Sequence, residues 1–417
     1  MKLATNLTRM WLTRSLKPFT FQNEYDQELP FLECRDLGLY VHIPFCKTIC
    51  DFCPYCKVPY SQDLCNQYID ALIREIHLVG GQNPGKKAVT SLYFGGGTPA
   101  LAAGRLGEIL EAVREHFTIT QGIGVELHPD NVTLPVLRTL RDAGVTKISI
   151  GIQSFQEKFQ QVLGRQTVDV AALRQALEAV PFETVSMDFI FALPTQTFDD
   201  LKADIDLAFQ NGANHVAIYP FIDFTFTKSI VPPMPKKEKR ELLDAITHYC
   251  MDKGYHRSSI WTFSSEEQAN YSSMTRDNFL GFGCSATTLL KRQFKINTFS
   301  VEEYCSRINQ GRLPTSLTLR FSPRQRMVYY LFWTAYSTRV MAKDFEQFFG
   351  VPLETMYGKE FRLAKRLGLV TEENGAYSLT LKGIFYYHYY ENFYTLAYID
   401  KMWGILRKEA FPGQIRL

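Results

Sequence analysis

Residues 40–53 read Tyr40-Val-His-Ile-Pro-Phe-Cys46-Lys-Thr-Ile-Cys50-Asp-Phe-Cys53, an apolar run that ends in a CX3CX2C array. The run Gly38–His42 has the length and character of a buried strand, which puts the three thiols on the loop at its carboxyl end. From there apolar runs alternate with stretches of helical period, the pattern of βα units. The pattern predicts further strands over Thr90–Phe94, Gly124–Leu127, Lys147–Gly151, Val185–Phe191 and His215–Tyr219, with helices starting near Leu64, Leu106, Thr133, Val170, Asp199 and Lys236. The fold class is α/β. Six such units favour a closed or partial (β/α)6 barrel, with a doubly wound sheet as the alternative, and either places chemistry at the carboxyl ends of the strands. Beyond about residue 310 the pattern changes to helices, a short hairpin (Leu369-Val370, Asn374-Gly375, Tyr377–Leu379) and an aromatic helix, which suits a small winged-helix-like α+β domain. The expected division is an N-terminal extension over 1–37, a barrel with its extension over 38–310 and a C-terminal domain over 311–417.

Composition narrows the function. The chain has 417 residues, 46% hydrophobic and 21% charged, with net charge +3, which argues against disorder and against a strongly basic nucleic-acid binder. No window approaches the ~18 apolar residues of a membrane span, and Lys2–Arg14 lacks the apolar core of a signal peptide, so a cytoplasmic location is expected. Leu3, Leu7, Met10 and Trp11 recur at helical spacing among Lys2, Arg9, Arg14 and Lys17. That is either a helix packed on the outside of the protein or a basic amphipathic contact with a membrane surface.

Nine cysteines are too few for a disulfide scaffold in a chain this long, yet Cys46, Cys50, Cys53 and Cys56 cluster, which implies metal. Three thiolates on one loop can hold three irons of a cubane cluster and leave the fourth open. A four-cysteine zinc site using Cys56 is the alternative, disfavoured because such sites present separated knuckles. The second signal is Phe94-Gly95-Gly96-Gly97-Thr98-Pro99 after the second strand, where glycines give a ligand access to backbone groups.

The stretches YVHIPFC, CX3CX2C and YFGGGTP together resemble the radical S-adenosylmethionine (SAM) enzymes, in particular the subgroup similar to oxygen-independent coproporphyrinogen III oxidase. The resemblance implies a [4Fe–4S] cluster that reduces SAM to a 5′-deoxyadenosyl radical, with a second SAM beside the first in some members. By resemblance Cys46, Cys50 and Cys53 are the cluster ligands. Tyr40, Gly96 and Glu126 contact the cluster-bound SAM, and Phe52, Gly97, Thr98, Gln153, Arg165 and Asp188 form a second SAM site. Glu126 and Asp188 lie on otherwise apolar strands, where an unpaired charge is costly, and Arg165 can fork onto a carboxylate.

The chain departs from the oxidase pattern where Pro54-Tyr55 intervene before Cys56, leaving Cys56 as a structural thiol, a shield or a substrate-facing group. His128 is read as a base near the substrate or as a structural histidine. Tyr271, Ser272 and Arg276 either orient an oxygenated substrate or form local turns. Cys34, Cys65, Cys250 and Cys305 read as buried small hydrophobes. The run Phe385–Tyr394 puts aromatic rings on both faces of a helix, for contact with the barrel or for a wall beside a flat lipophilic substrate. On these grounds the expected activity is a radical SAM methyltransferase acting on an aromatic or quinone sp2 carbon, menaquinone as the specific guess. The alternatives are a decarboxylating coproporphyrinogen-type oxidoreductase and a haem chaperone. The expected partners are a lipophilic small-molecule substrate and a flavodoxin or ferredoxin reductant, without nucleic acid.

Overall fold

Six strands run parallel and in chain order: β1 (Leu37–Ile43), β2 (Leu92–Gly96), β3 (Ile123–Leu127), β4 (Lys147–Gln153), β5 (Thr184–Phe191) and β6 (His215–Pro220). The structure, a computed structural model, describes residues 2–23, 29–228, 232–266 and 277–417. The helices that follow the strands are α1 (Gln62–Gly80), α2 (Leu106–His116), α3 (Leu134–Asp142), α4 (Val170–Ala179), α5 (Phe198–Gln210) and α6 (Lys236–Asp252). Every expected strand and helix is present, with ends shifted by one or two residues. Some starts are fixed by side chains: Asp169 accepts from the Ala172 N–H before α4, and Thr197 and Asp200 form a reciprocal capping box before α5.

The strand order separates the two architectures left open by the sequence. A doubly wound sheet reverses its order at a switch point, whereas here each strand lies beside its sequence neighbour, from β6 to β1. The barrel is also partial. β1 pairs with β2 on one side and with Asn278–Phe282 on the other, while β6 pairs with Thr262–Ser264. Among the described residues the sheet continues on from Asn278–Phe282 through Thr287–Leu289, Gln293–Asn297, Thr315–Arg320, Thr20–Gln22 and Ile415–Arg416, giving fourteen strands in one sheet. The two ends of the chain meet on its last edge, where Phe19 and Leu417 exchange backbone hydrogen bonds of 3.1 and 2.9 Å. These added strands are short, which is why apolar patterning does not announce them.

The C-terminal region runs helix Pro323–Tyr336, strand Arg339–Met341, helices Ala342–Phe349 and Leu353–Arg366, then the hairpin Val370–Glu373 and Ala376–Leu379, a winged-helix-like order. Asn374 and Gly375 take φ of 51° and 75°, the left-handed pair that a two-residue hairpin turn demands.

The aromatic helix Leu381–Tyr394 packs inward. Tyr387 stacks on Phe332 at 5.2 Å, His388 meets the edge of Trp261 at 4.6 Å, and Arg240 covers Phe385 at 4.2 Å. The expected second face is therefore covered by α6 and by Pro323–Tyr336, and Tyr386 is the ring of this helix that stays exposed. The N-terminal helix Lys2–Thr13 packs on the same region, with Arg9 and Thr13 buried and Leu7 and Trp11 facing outward. No helix among the described residues is long and apolar enough to cross a membrane.

Candidate active site

Alternation along each parallel strand sends one set of side chains into the barrel. That set is Tyr40 and His42 on β1, Tyr93 and Gly95 on β2, Glu126 on β3, Ser149, Gly151 and Gln153 on β4, Ser186 and Asp188 on β5, and His215 and Tyr219 on β6, as the strand registers require. The other face is apolar, so the lumen collects most of the polar groups of the six strands. The cysteine loop lies over its mouth.

Backbone pairing and one lysine hold that loop. Phe45–Cys46 pairs with Val58–Pro59, and the Lys57 ammonium donates to the Cys50 and Cys53 carbonyls at 2.6 and 2.7 Å. From outside, the Lys228 N–H reaches the Asp51 carbonyl at 3.2 Å and the Arg407 guanidinium donates to the Pro54 carbonyl. Cys46, Cys50 and Cys53 remain partly exposed, while Cys56 is buried. Its thiol donates to the Phe299 carbonyl at 3.3 Å and lies beside His42 and Cys284. Cys56 thus faces away from its three neighbours, which removes the four-cysteine zinc site and supports the reading of a structural thiol.

The glycines serve packing before ligand access. A Cβ on Gly97 would sit 2.6 Å from the Phe45 carbonyl oxygen, and one on Gly96, whose φ is +121°, would sit 2.7 Å from the His42 ring. A Cβ on Gly95 would meet Glu126 at 2.9 Å. Thr98 is buried against the loop, its N–H on the Phe45 carbonyl at 2.8 Å and its hydroxyl 3.8 Å from the Cys46 sulfur. Phe52 packs with Phe159, Leu193 and Phe221 beside the loop.

The Gly96 N–H donates to Glu126 at 3.0 Å. Burial pushes that carboxyl up to about 7 despite this bond, with Asp188 adding to the rise. Asp188 accepts from Ser149 at 2.7 Å and Ser186 at 3.0 Å, and burial holds it up at about 6. Tyr40 and His42 form a relay. The His42 Nε2 faces the Cys56 carbonyl at 3.0 Å, so it carries the proton, and Nδ1 accepts from the Tyr40 hydroxyl at 3.0 Å.

Gln153, Arg165 and His128 gather at the ends of β3 and β4. Gln153 takes φ of 70°, and both its amide and the Arg165 guanidinium lie over the bare face of Gly151. The Arg165 Nη2 is buried without a hydrogen-bond partner, in the field of Cys50, Cys53 and Cys46. His128 is different. Its Nδ1 accepts from the Asp130 N–H at 3.3 Å, and burial together with Arg165 pushes its pKa down to about 4. That hydrogen bond makes His128 the cap of the short turn that follows β3. Tyr271, Ser272 and Arg276 lie outside the described residues.

A model of the radical SAM superfamily matches residues 40–208. The heme chaperone HemW of Bacillus subtilis is 25% identical to this chain over 362 residues, covering 82% of this chain and 95% of that one. An oxygen-independent coproporphyrinogen III oxidase of Cereibacter sphaeroides is 26% identical over 313 residues, covering 67% and 68%. The coproporphyrinogen III oxidase HemN of Escherichia coli, a radical SAM enzyme, shares the fold with TM-score 0.73 at 21% identity, over 91% of this chain and 97% of that one. These relatives overturn the expected methyl transfer to an aromatic or quinone ring: they are heme chaperones and coproporphyrinogen oxidases. The Pro54-Tyr55-Cys56 departure that suggested a different chemistry ends in a thiol packed into the core.

The match to the radical SAM superfamily implies a [4Fe–4S] cluster and SAM, and the residues present fit both. Three soft, partly exposed thiols on one tethered loop suit three irons. The unpartnered Arg165 Nη2 is a buried donor that suits a carboxylate.

Sequence reasoning missed two groups. His42, Tyr93, Ser149, Ser186 and His215 were legible as polar residues at alternate positions in apolar strands. The C-terminal segment was not: Asp400 accepts from the Thr225 N–H and hydroxyl at 2.8 Å each, and Trp403 stacks on Phe224 at 6.3 Å and leans on Tyr55 at 6.1 Å. Together with Arg407 these residues brace the cysteine loop, and nothing local in their sequence announces it.

Proposed function

We propose that this chain is a radical SAM enzyme whose substrate is a tetrapyrrole of the porphyrinogen class, acted on by oxidative decarboxylation of a carboxylate side chain. The observation that carries the reading is the lumen itself: a buried guanidinium nitrogen without a hydrogen-bond partner, in the field of three thiols, and two carboxyls held up at about 6 and 7 by burial. The substrate class comes from the relatives.

When bound and reduced by one electron, the cluster and SAM supply a 5′-deoxyadenosyl radical. The chain's own part is to bind, orient and exclude water. Cys46, Cys50 and Cys53 hold the cluster, and Lys57 and Arg407 fix their loop. Tyr40, Gly96 and Glu126 hold the cluster-bound SAM, with Glu126 accepting from ribose hydroxyls. Gln153, Arg165 and Asp188, with Phe52, Gly97 and Thr98 behind them, take a second ligand, either a second SAM or a substrate carboxylate. A flavodoxin or ferredoxin is the electron donor, and the division at about residues 37 and 310 separates barrel from flanking segments.

The test is the fate of the tetrapyrrole. Anaerobically reconstituted protein with SAM, dithionite and coproporphyrinogen III should release carbon dioxide, and Cys50→Ala should release none. Stoichiometric haem binding with no carbon dioxide and no 5′-deoxyadenosine would instead mark a chaperone, a reading favoured by the 95% coverage of HemW.

A further inference from the structure

At the end of the barrel opposite the lumen mouth, α1 and α2 finish side by side. His77 lies in the last turn of α1, and Glu115 and His116 close α2. The His77 Nδ1 and His116 Nε2 are 3.0 Å apart, and a Glu115 carboxylate oxygen is 3.6 Å from the same His77 nitrogen. One ligand atom from each residue lies within 4.8 Å of the other two. Zinc bonds of about 2.0–2.2 Å to nitrogen and oxygen place neighbouring donors of a tetrahedral site about 3.4 Å apart. The three donors therefore stand close to where a bound ion would hold them.

Two further observations point to a cation. Both helices direct their carboxyl ends, the negative poles of their dipoles, at this spot. The His116 ring is seated on Gly80, where a Cβ would come within 2.4 Å of it, so its direction is fixed by packing. Glu115 and His77 remain open to solvent, leaving positions for water on the ion.

We propose that His77, Glu115 and His116 form a site for one divalent cation of the zinc type, which staples α1 to α2. Without the ion the two imidazoles share a proton. On binding, the donating ring moves that proton to its other nitrogen, so both facing nitrogens present lone pairs and no net proton is released. The site uses imidazole and carboxylate, which suits zinc better than the thiolates' iron. It is independent of the tetrapyrrole reading.

The probe is Zn2+ alone, added anaerobically to cluster-loaded protein so that Cys46, Cys50 and Cys53 are already occupied, and followed by equilibrium dialysis with iron measured in parallel. One zinc per chain should bind with iron unchanged. His116→Gln and His77→Ala should each weaken binding by about 100-fold or more, at least what loss of an outer-shell partner costs. Gly80→Ala, which removes no ligand, should also weaken it by displacing the His116 ring. Failure of the loaded protein to bind zinc at micromolar free metal, or full binding by the His77→Ala/His116→Ala double variant, overturns the proposal.

Discussion

The lumen and the aromatic helix Leu381–Tyr394 are both dense in side chains that a sequence reader takes for a binding surface, yet they differ in what is left over. In the aromatic helix most rings are used up on one another and on cations, Tyr387 on Phe332, Phe385 under Arg240 and the Tyr389 hydroxyl on Lys236 at 2.9 Å, and the unmatched group there is a neutral imidazole nitrogen, His388 Nδ1. In the lumen the polar groups keep unused capacity, most plainly the Arg165 Nη2, and burial raises the carboxyls of Glu126 and Asp188 above their ordinary range. Buried groups normally find partners, so an unmatched donor beside a loop of thiols is informative in a way that aromatic richness is not.

This contrast breaks most sharply at the cysteines. Cys46→Ala, Cys50→Ala or Cys53→Ala should abolish iron incorporation and turnover, whereas Cys56→Ala should keep the iron, measured by iron and sulfide analysis after anaerobic reconstitution. Next in size is Arg165→Ala. Removing one partner of a buried charge pair costs about 2–5 kcal/mol, so affinity for its ligand should fall by about 30-fold or more with the cluster intact.

The pH dependence is smaller and has a definite sign. Burial raises the Glu126 carboxyl to about 7 in the ligand-free protein, and ribose hydroxyls donate best to the ionised form. Affinity for SAM should therefore rise by about tenfold from pH 6 to pH 8 and stay flat in Glu126→Gln. The same raised pKa favours the folded state below the unfolded value, and this contribution is lost as pH rises through 7. The ligand-free wild type should then lose thermal stability between about pH 5 and pH 7, and Glu126→Gln should lose less.

The aromatic helix gives the smallest effect on function. Tyr387→Phe removes the hydrogen bond to the Phe332 carbonyl and should cost about 1 kcal/mol in denaturant unfolding, with kcat and KM unchanged. A changed KM with unchanged stability would move the helix into the site.

The fold was legible because six buried strands alternate with six helical stretches at short spacing, and each leaves a local mark. Glu126 and Asp188 stand out as polar residues on apolar strands and the cysteine loop by its spacing, whereas Arg165 is singled out only through the family resemblance. Other features were hidden because they depend on distant pairing. Thr20–Gln22 and Ile415–Arg416 form strands only against each other and Thr315–Arg320, and Trp403 and Arg407 reach the cysteine loop from more than 300 residues along the chain. Cys56 was ambiguous until Cys284 and His42 appeared beside it. The glycines of the Phe94–Pro99 turn were read as ligand access, but the backbone of Pro44 and Phe45 explains Gly97 by itself.

The central claim is that the lumen beneath the three thiols is where SAM is cleaved for a tetrapyrrole substrate. Its most direct test is to count 5′-deoxyadenosine formed anaerobically by reconstituted protein with SAM and dithionite, with and without coproporphyrinogen III. The account predicts that the porphyrinogen raises the yield in the wild type and in Tyr387→Phe, and that Cys50→Ala forms none in either condition. A yield indifferent to the porphyrinogen, or 5′-deoxyadenosine from Cys50→Ala, would contradict it.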